Sequence, residues 1–168
     1  MINPNDDLRR YGGNVDGWRK AFMSVFRKAQ QGGLLSYWYR LRFKFLKQKH
    51  GIEIYYRTKI GKGLYLGHPW GITINADVVI ADNCNIHKGV TIGQENRGKR
   101  KGTPVIGNKV YIGINAIVCG KITIGDDVMI APGAFVNCDV PSHSIVIGNP
   151  CVIKHKENAT EGYINNCV

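Results

Sequence analysis

The chain has 168 residues, 21 of them glycine, and a formal net charge of +11. That length suits one domain and is too short for two. No run of eighteen apolar residues offers a membrane-spanning helix, and glycine lacks the every-third spacing of collagen. The basic excess fits nucleic acid, an anionic membrane or a phosphorylated small ligand, and composition alone does not choose among them.

Residues 1–50 read as an N-terminal helical segment. The opening "MINPNDDLRR" carries acidic residues and lacks the apolar stretch of a secretory signal, so a cytoplasmic location is expected. "DGWRKAFMSVFRKAQ" and "LLSYWYRLRFKFLKQKH" interleave aromatics with Arg and Lys at helical intervals and are separated by Gly32-Gly33. They predict two amphipathic helices. Residues 1–59 hold thirteen Lys and Arg against Asp6, Asp7, Asp16 and Glu53. Two roles fit this segment: capping the open first coil of the repetitive region, or facing a membrane surface or an anionic glycan. No nucleic-acid recognition motif accompanies its aromatics, so nucleic acid is not an expected partner.

Residues 51–154 are repetitive. Aliphatic side chains recur every six residues at Ile54, Ile60, Leu66 and Ile72, then after a two-residue slip at Ile74, Ile80, Ile86 and Ile92. The series resumes at Ile106, Ile112, Val118, Ile124, Ile130 and Val136. Small residues follow many of them (Gly61, Gly67, Ala81, Gly93, Gly107, Gly113), and Thr58, Val78, Cys84, Val90, Val110 and Ala116 stand four residues on. Six is an even period, compatible with strands whose alternate side chains point inward. Short strands with a turn every six residues close a triangular coil of eighteen residues. The predicted fold is mainly β, a parallel β-helix. Five cysteines (Cys84, Cys119, Cys138, Cys151, Cys167) are odd in number and lack CxxC spacing, which reads as buried small hydrophobes in a reducing compartment rather than a metal or redox site.

The repeat breaks in two places. "QENRGKRKGTPV", residues 94–105, is a charged loop ejected from the coil, either a solvated excursion or a flap over a neighbouring groove. "GHPWG", residues 67–71, puts His68 near a corner rather than in the core. With coils of eighteen residues, Glu53 is register-equivalent to Gly71, so its carboxylate is expected to reach the His68 imidazole across one rung. Such a pair fixes the tautomer and raises the basicity of the free nitrogen, as a general base requires. His50, His87, His143 and His155 show no comparable pairing; His87 is expected to point outward. Residues 155–168 form a polar tail, expected to be mobile beyond Lys156.

"IGDDVMIAPGAFV" and "VPSHSIVIGNPCVI" resemble the last coils and closing segment of the hexapeptide-repeat acyltransferases. "GIEIYYRTKIGKGLYLGHPWGITI" is similar to the corresponding stretch of serine acetyltransferases, and "IHKGVTIG" resembles the relatives that acetylate sugars of capsules and exopolysaccharides. The resemblance implies a left-handed β-helix, a homotrimer with sites between neighbouring prisms, and acetyl-CoA as co-substrate with no metal. It places His68 on the catalytic base and Glu53 on its carboxylate partner. It runs the pantetheine arm past Gly113, Ile114, Ala131 and Pro132, with the nucleotide end near Lys154. Gly93, where the loop leaves the coil, is the expected oxyanion donor, and Trp70, Arg97 and Thr103 are the expected acceptor contacts. Tyr65 and Trp70 are expected to face a groove closed by the trimer.

Four positions depart from the serine-acetyltransferase pattern. Gly102 and Thr103 replace an Arg-His pair that helps bind the amino acid, Gly67 replaces an acid, and Tyr55 replaces a histidine. The implied activity is acetyl transfer to a hydroxyl of L-serine or of a surface-polysaccharide sugar. The alternative is a non-catalytic β-helix that binds an anionic glycan or membrane surface.

Overall fold

A computed structural model describes residues 2–168; Met1, the first residue of the N-terminal segment, lies outside them. Three helices precede the repeat: α1 (Pro4–Arg9), α2 (Gly17–Ala29) and α3 (Leu34–Gln48). The last two are the predicted pair. α1 is additional, six residues started by Asn3, whose side chain accepts a hydrogen bond from the Asn5 amide, with Pro4 in the first turn.

The repeat winds into a left-handed parallel β-helix with three faces. On the first, Glu53–Ile54, Thr73–Ile74, Thr91–Gly93, Ile117–Cys119 and Phe135–Val136 pair in that order. On the second, Lys59–Ile60, Val79–Ile80, Val105–Ile106 and Thr123–Ile124 pair likewise. The third carries Tyr65–Gly67, Asn85–His87, Tyr111–Ile112, Val128–Ile130 and Ser144–Ile147, and the antiparallel strand Val152–His155 closes it.

All fourteen positions of the predicted six-residue series are buried. Thirteen of them make three inward columns, one per face. Ile72 does not: it stacks with Val90, Ala116 and Ala134, one position before each first-face strand. The two-residue slip therefore lies before Ile72 rather than after it. Gly67 pairs with His87 and Thr73 with Thr91, so residues 68–72 span a corner that residues 88–90 span on the next rung. This coil runs twenty residues from Ile54 to Ile74, and Glu53 pairs with Thr73, not with the level of Gly71. The expected eighteen-residue register of Glu53 is corrected accordingly.

The open end of the first coil is sealed by α2, which buries Phe22, Met23, Phe26 and Ala29 in the continuous core. Arg27 accompanies them and is buried in full. Its Nε and Nη2 donate to the Asp7 carboxylate at 2.7 and 2.9 Å, and its Nη1 donates to the Ile60 carbonyl at 2.7 Å. Asp7 also accepts from the Leu64 amide, so the buried pair has its lone pairs and protons occupied. The capping role thus falls to α2. α3 buries only Ser36 and Phe43 and presents its other side outward.

The C-terminal tail, expected to be mobile, is tied back onto the coil by hydrogen bonds. The Asp127 carboxylate accepts from the amides of Ala159 and Thr160 and from the Thr160 hydroxyl. Asn85 donates to the Tyr163 carbonyl, and the Asn83 side chain exchanges two hydrogen bonds with the Val168 backbone. Arg10 donates from Nε to the Asn165 carbonyl, from Nη2 to Asn85 and from Nη1 to the Gly63 carbonyl. A polar strap therefore runs from the fourth rung back to the first. Polar composition suggests disorder, but these specific partners supply the order that the missing hydrophobic pattern does not. Among the cysteines only Cys84 is buried; Cys119, Cys138 and Cys151 are half-buried and Cys167 is exposed, so uniform burial is corrected.

Candidate active site

The GHPWG corner is the two-residue insertion itself. The Trp70 amide donates to the His68 carbonyl at 2.7 Å, and His68 takes a positive φ of 50°. That region is uncommon for a side-chain-bearing residue, though His tolerates it better than most. The corner is pinned from outside. The Gly71 amide donates to the His50 carbonyl, and His50 Nδ1 lies 3.0 Å from the Pro69 carbonyl. The His50 ring is sandwiched between Trp18 and Trp70, with centroids at 3.9 and 4.3 Å. His50 thus has a role at this corner that sequence reading did not assign. His68 is exposed, and among the described residues its ring makes no hydrogen bond or ion pair.

His87 lies one rung above Gly67. Its ring covers the place where a Cβ at position 67 would stand, so glycine there is a steric requirement of that ring. It packs between Tyr65 and Tyr111, with centroids at 6.2 and 4.8 Å, and its Nε2 is buried without a partner. Burial lowers its pKa, and the nearby His68 lowers it further. His87 points outward along the prism face, as expected beside the inward Ile86, but it is packed against its neighbours there instead of standing free. The missed signal was Gly67 itself, once the insertion is placed after it. Tyr65 is covered too, stacked on Tyr11 at 4.5 Å, and does not await a partner as expected. Trp70 remains exposed.

Continuing the third-face register, Gly113 lies above His87 and Ala131 above Gly113. Gly113, Ile114, Ala131 and Pro132 therefore line the same prism edge as His68, between the third and first faces. A Cβ at Gly113 would meet the Pro132 nitrogen at 2.6 Å, so the corners there stack tightly. Lys154 is exposed on the closing antiparallel strand, opposite Ile145.

Gly93, Arg97 and Thr103 stand on a different edge, between the first and second faces, where loop 94–105 emerges. The loop is folded onto its own chain. Glu95 and Gly102 exchange both backbone hydrogen bonds, and the Lys121 amide donates to the Arg100 carbonyl at 2.8 Å. Thr103 spends its hydroxyl on the Asp77 carbonyl. Within one chain the structure does not bring these three residues to His68.

Nor does it join Glu53 to His68. No hydrogen bond or ion pair connects them among the described residues; both are exposed. The longer coil carries Glu53 past the expected level, and it lines a pocket of about 600 Å³ with Arg40, Lys44, Lys47, Tyr55 and Tyr56. Carboxylate–imidazole pairs lie elsewhere: His143 Nδ1 is 2.9 Å from Asp127 and 3.4 Å from Glu157, and His155 Nε2 is 3.4 Å from Glu157, pairings not expected for either histidine. The His143–Asp127 pair belongs to the strap, not the corner. Among the described residues no group of three or more His, Cys, Asp or Glu side chains is placed to hold a metal ion.

Residues 103–138 match the family model of the bacterial transferase hexapeptide (six repeats). The serine acetyltransferase of Helicobacter pylori (strain ATCC 700392 / 26695) is 41% identical over 99 residues, covering 59% of this chain and 58% of that protein. The serine acetyltransferase of Synechococcus elongatus is 37% identical over 100 residues, 60% of this chain and 41% of that one. The chain thus spans about half the length of these relatives. The solved Neisseria gonorrhoeae serine acetyltransferase in complex with serine superposes with a TM-score of 0.69 at 28% identity, covering 90% of this chain and 67% of that one.

Proposed function

We propose that this relative of the serine acetyltransferases carries an acetyl group from acetyl-CoA to the hydroxyl of a small acceptor, with His68 as general base. The observation that carries the reading is the corner: a two-residue insertion holds an exposed imidazole in a left-handed backbone at the foot of the Gly113–Pro132 edge. A neutral ring nitrogen there accepts the hydroxyl proton as the oxygen attacks the thioester carbonyl. The new C–O bond forms, the C–S bond breaks, and the imidazolium returns its proton to the departing thiolate. His87, the second histidine at this edge, is held neutral by burial and by the nearby His68, so it adds no positive charge beside the acceptor.

L-serine is the first acceptor to test, because the relatives at 37–42% identity are serine acetyltransferases and a solved relative holds serine. A sugar hydroxyl is the second reading, favoured by one observation: Gly102 has no side chain and Thr103 spends its hydroxyl on Asp77, so these two positions offer no cationic side chain to an amino-acid carboxylate. Assembly into a trimer completes the reading. His68 and loop 94–105 leave from different edges, so the loop with Gly93 and Arg97 meets His68 only if a neighbouring copy supplies it. The N-terminal segment is the part of the chain suited to a membrane contact. The test is CoA release with L-serine and a panel of sugars. On the acceptor found, His68→Ala should lower turnover by about 10²–10⁴ while leaving CoA binding intact, and Glu53→Gln should cost less than about tenfold because no bond joins it to His68. Near-normal turnover by His68→Ala would overturn the assignment.

A further inference from the structure

α3 is apolar on both sides. Its inner side places Phe43 in the core beside Phe22 and Phe26, at centroid distances of 5.2 and 5.4 Å. Its outer side carries Leu34, Leu35, Trp38, Leu41 and Phe45, a continuous stripe at helical spacing, with Leu34 88% and Trp38 72% exposed. A soluble domain seldom leaves such a patch uncovered without a partner for it. Arg42 and Lys49 fall within the same stripe by the 100° step of the helix, and Lys44 borders it. No acidic residue lies between Asp16 and Glu53.

We propose that this outer face of α3 docks onto an anionic lipid surface, the helix lying in the interfacial plane. Large aromatic and aliphatic side chains with cations among them match the boundary between acyl chains and acidic headgroups, where tryptophan is favoured. No helix of the described residues is long and apolar enough to cross a membrane, so the contact is peripheral. Charge argues against a second copy as the occupant. A symmetric contact would set Arg42 and Lys49 against themselves, and residues 60–168, with ten Lys and Arg against eight Asp and Glu, carry no net negative charge to draw the stripe onto another part of a second copy. Anionic headgroups supply the missing negative charge, and the exposed Arg9, Lys20, Arg57 and Lys59 add to the attraction at a distance.

The experiment is sedimentation of the full chain with vesicles of pure phosphatidylcholine and of phosphatidylcholine with 30% phosphatidylglycerol, at ~0.1 M salt. Binding to the anionic vesicles at least about tenfold tighter than to the neutral ones is expected, weakening as salt rises. The double variants Trp38→Ser/Phe45→Ser and Arg42→Glu/Lys49→Glu should each reduce it about tenfold or more with helix content and molar mass unchanged, since all four side chains are exposed. No sedimentation with either vesicle, equal binding to both, or a fall in molar mass on Trp38→Ser/Phe45→Ser would overturn the proposal, the last by showing that another copy covers the stripe.

Discussion

The His87 ring occupies the space directly above Gly67, on the neighbouring rung, that any larger side chain at position 67 would need. Gly67→Ala should therefore destabilise the chain by about 1–3 kcal/mol through overpacking. Removing the obstacle should relieve it: the double variant Gly67→Ala/His87→Ala should be less destabilised than the sum of the single variants by ~0.5 kcal/mol or more. Urea unfolding of the four proteins checks this. Strict additivity would mean that ring and glycine do not interact.

The Asp7–Arg27 pair seals the first coil from inside, with both side chains fully buried. Arg27→Met leaves a carboxylate in the core without its cation and should cost roughly 3–5 kcal/mol. Asp7→Leu/Arg27→Met removes both charges and should be milder than the single change. Denaturation midpoints decide it, and a harmless Arg27→Met would show that water reaches Asp7.

The strap should respond to pH. The Asp127 hydrogen bond holds the His143 pKa above its ordinary value near 6.5. Partial burial raises the Asp127 carboxyl, but hydrogen bonds from Thr160, His143 and Ala159 outweigh it and leave it below its ordinary 3.8. A raised histidine contributes in full below its unfolded pKa and loses that contribution as pH rises through the folded value. A lowered carboxyl contributes above its unfolded pKa and loses it as pH falls through the folded one. The strap should be tightest from about pH 4 to 6.5. Hydrogen exchange of residues 157–168, corrected for intrinsic rates, should show most protection there, and His143→Ala should flatten the alkaline side. Equal protection at pH 6 and 9 would contradict this.

Loop 94–105 begins and ends at a bonded pair, Glu95 with Gly102. Deleting Asn96–Lys101 joins Glu95 directly to Gly102, which gives up that bonded pair but lies outside the coil, and should change the melting temperature by no more than ~3 °C. If a neighbour's groove is its place of work, the same deletion should lower acetyl transfer. Normal kinetics in a deletion of native mass would make the loop a surface excursion.

The coil was legible because burial imposes a period that fourteen side chains repeat, and all fourteen are inside. Its phase at Ile72 was not. Two inward columns on one face are offset by two residues, so a two-residue insertion moves the series from one to the other without breaking the spacing of six. His68 stood out because it interrupts a pattern, whereas its relation to Glu53 depended on a coil length that the insertion changes. The strap left no trace of this kind. Its order comes from single hydrogen bonds by Asn83, Asn85, Asp127 and Arg10, and such bonds have no period to read.

Stacked rungs that touch only their neighbours behave as a one-dimensional lattice, able to fray from either end while the middle stays folded. The strap alters the boundary conditions of that lattice. By bonding Asp127 on the fourth rung, Asn83 and Asn85 on the second, and Arg10 at the first, it couples the two ends. Loss of the last rungs then releases the Asp127 end of the strap that also holds Arg10 and Asn85, so the column should melt as a closed ring of contacts, all together, instead of unzipping rung by rung.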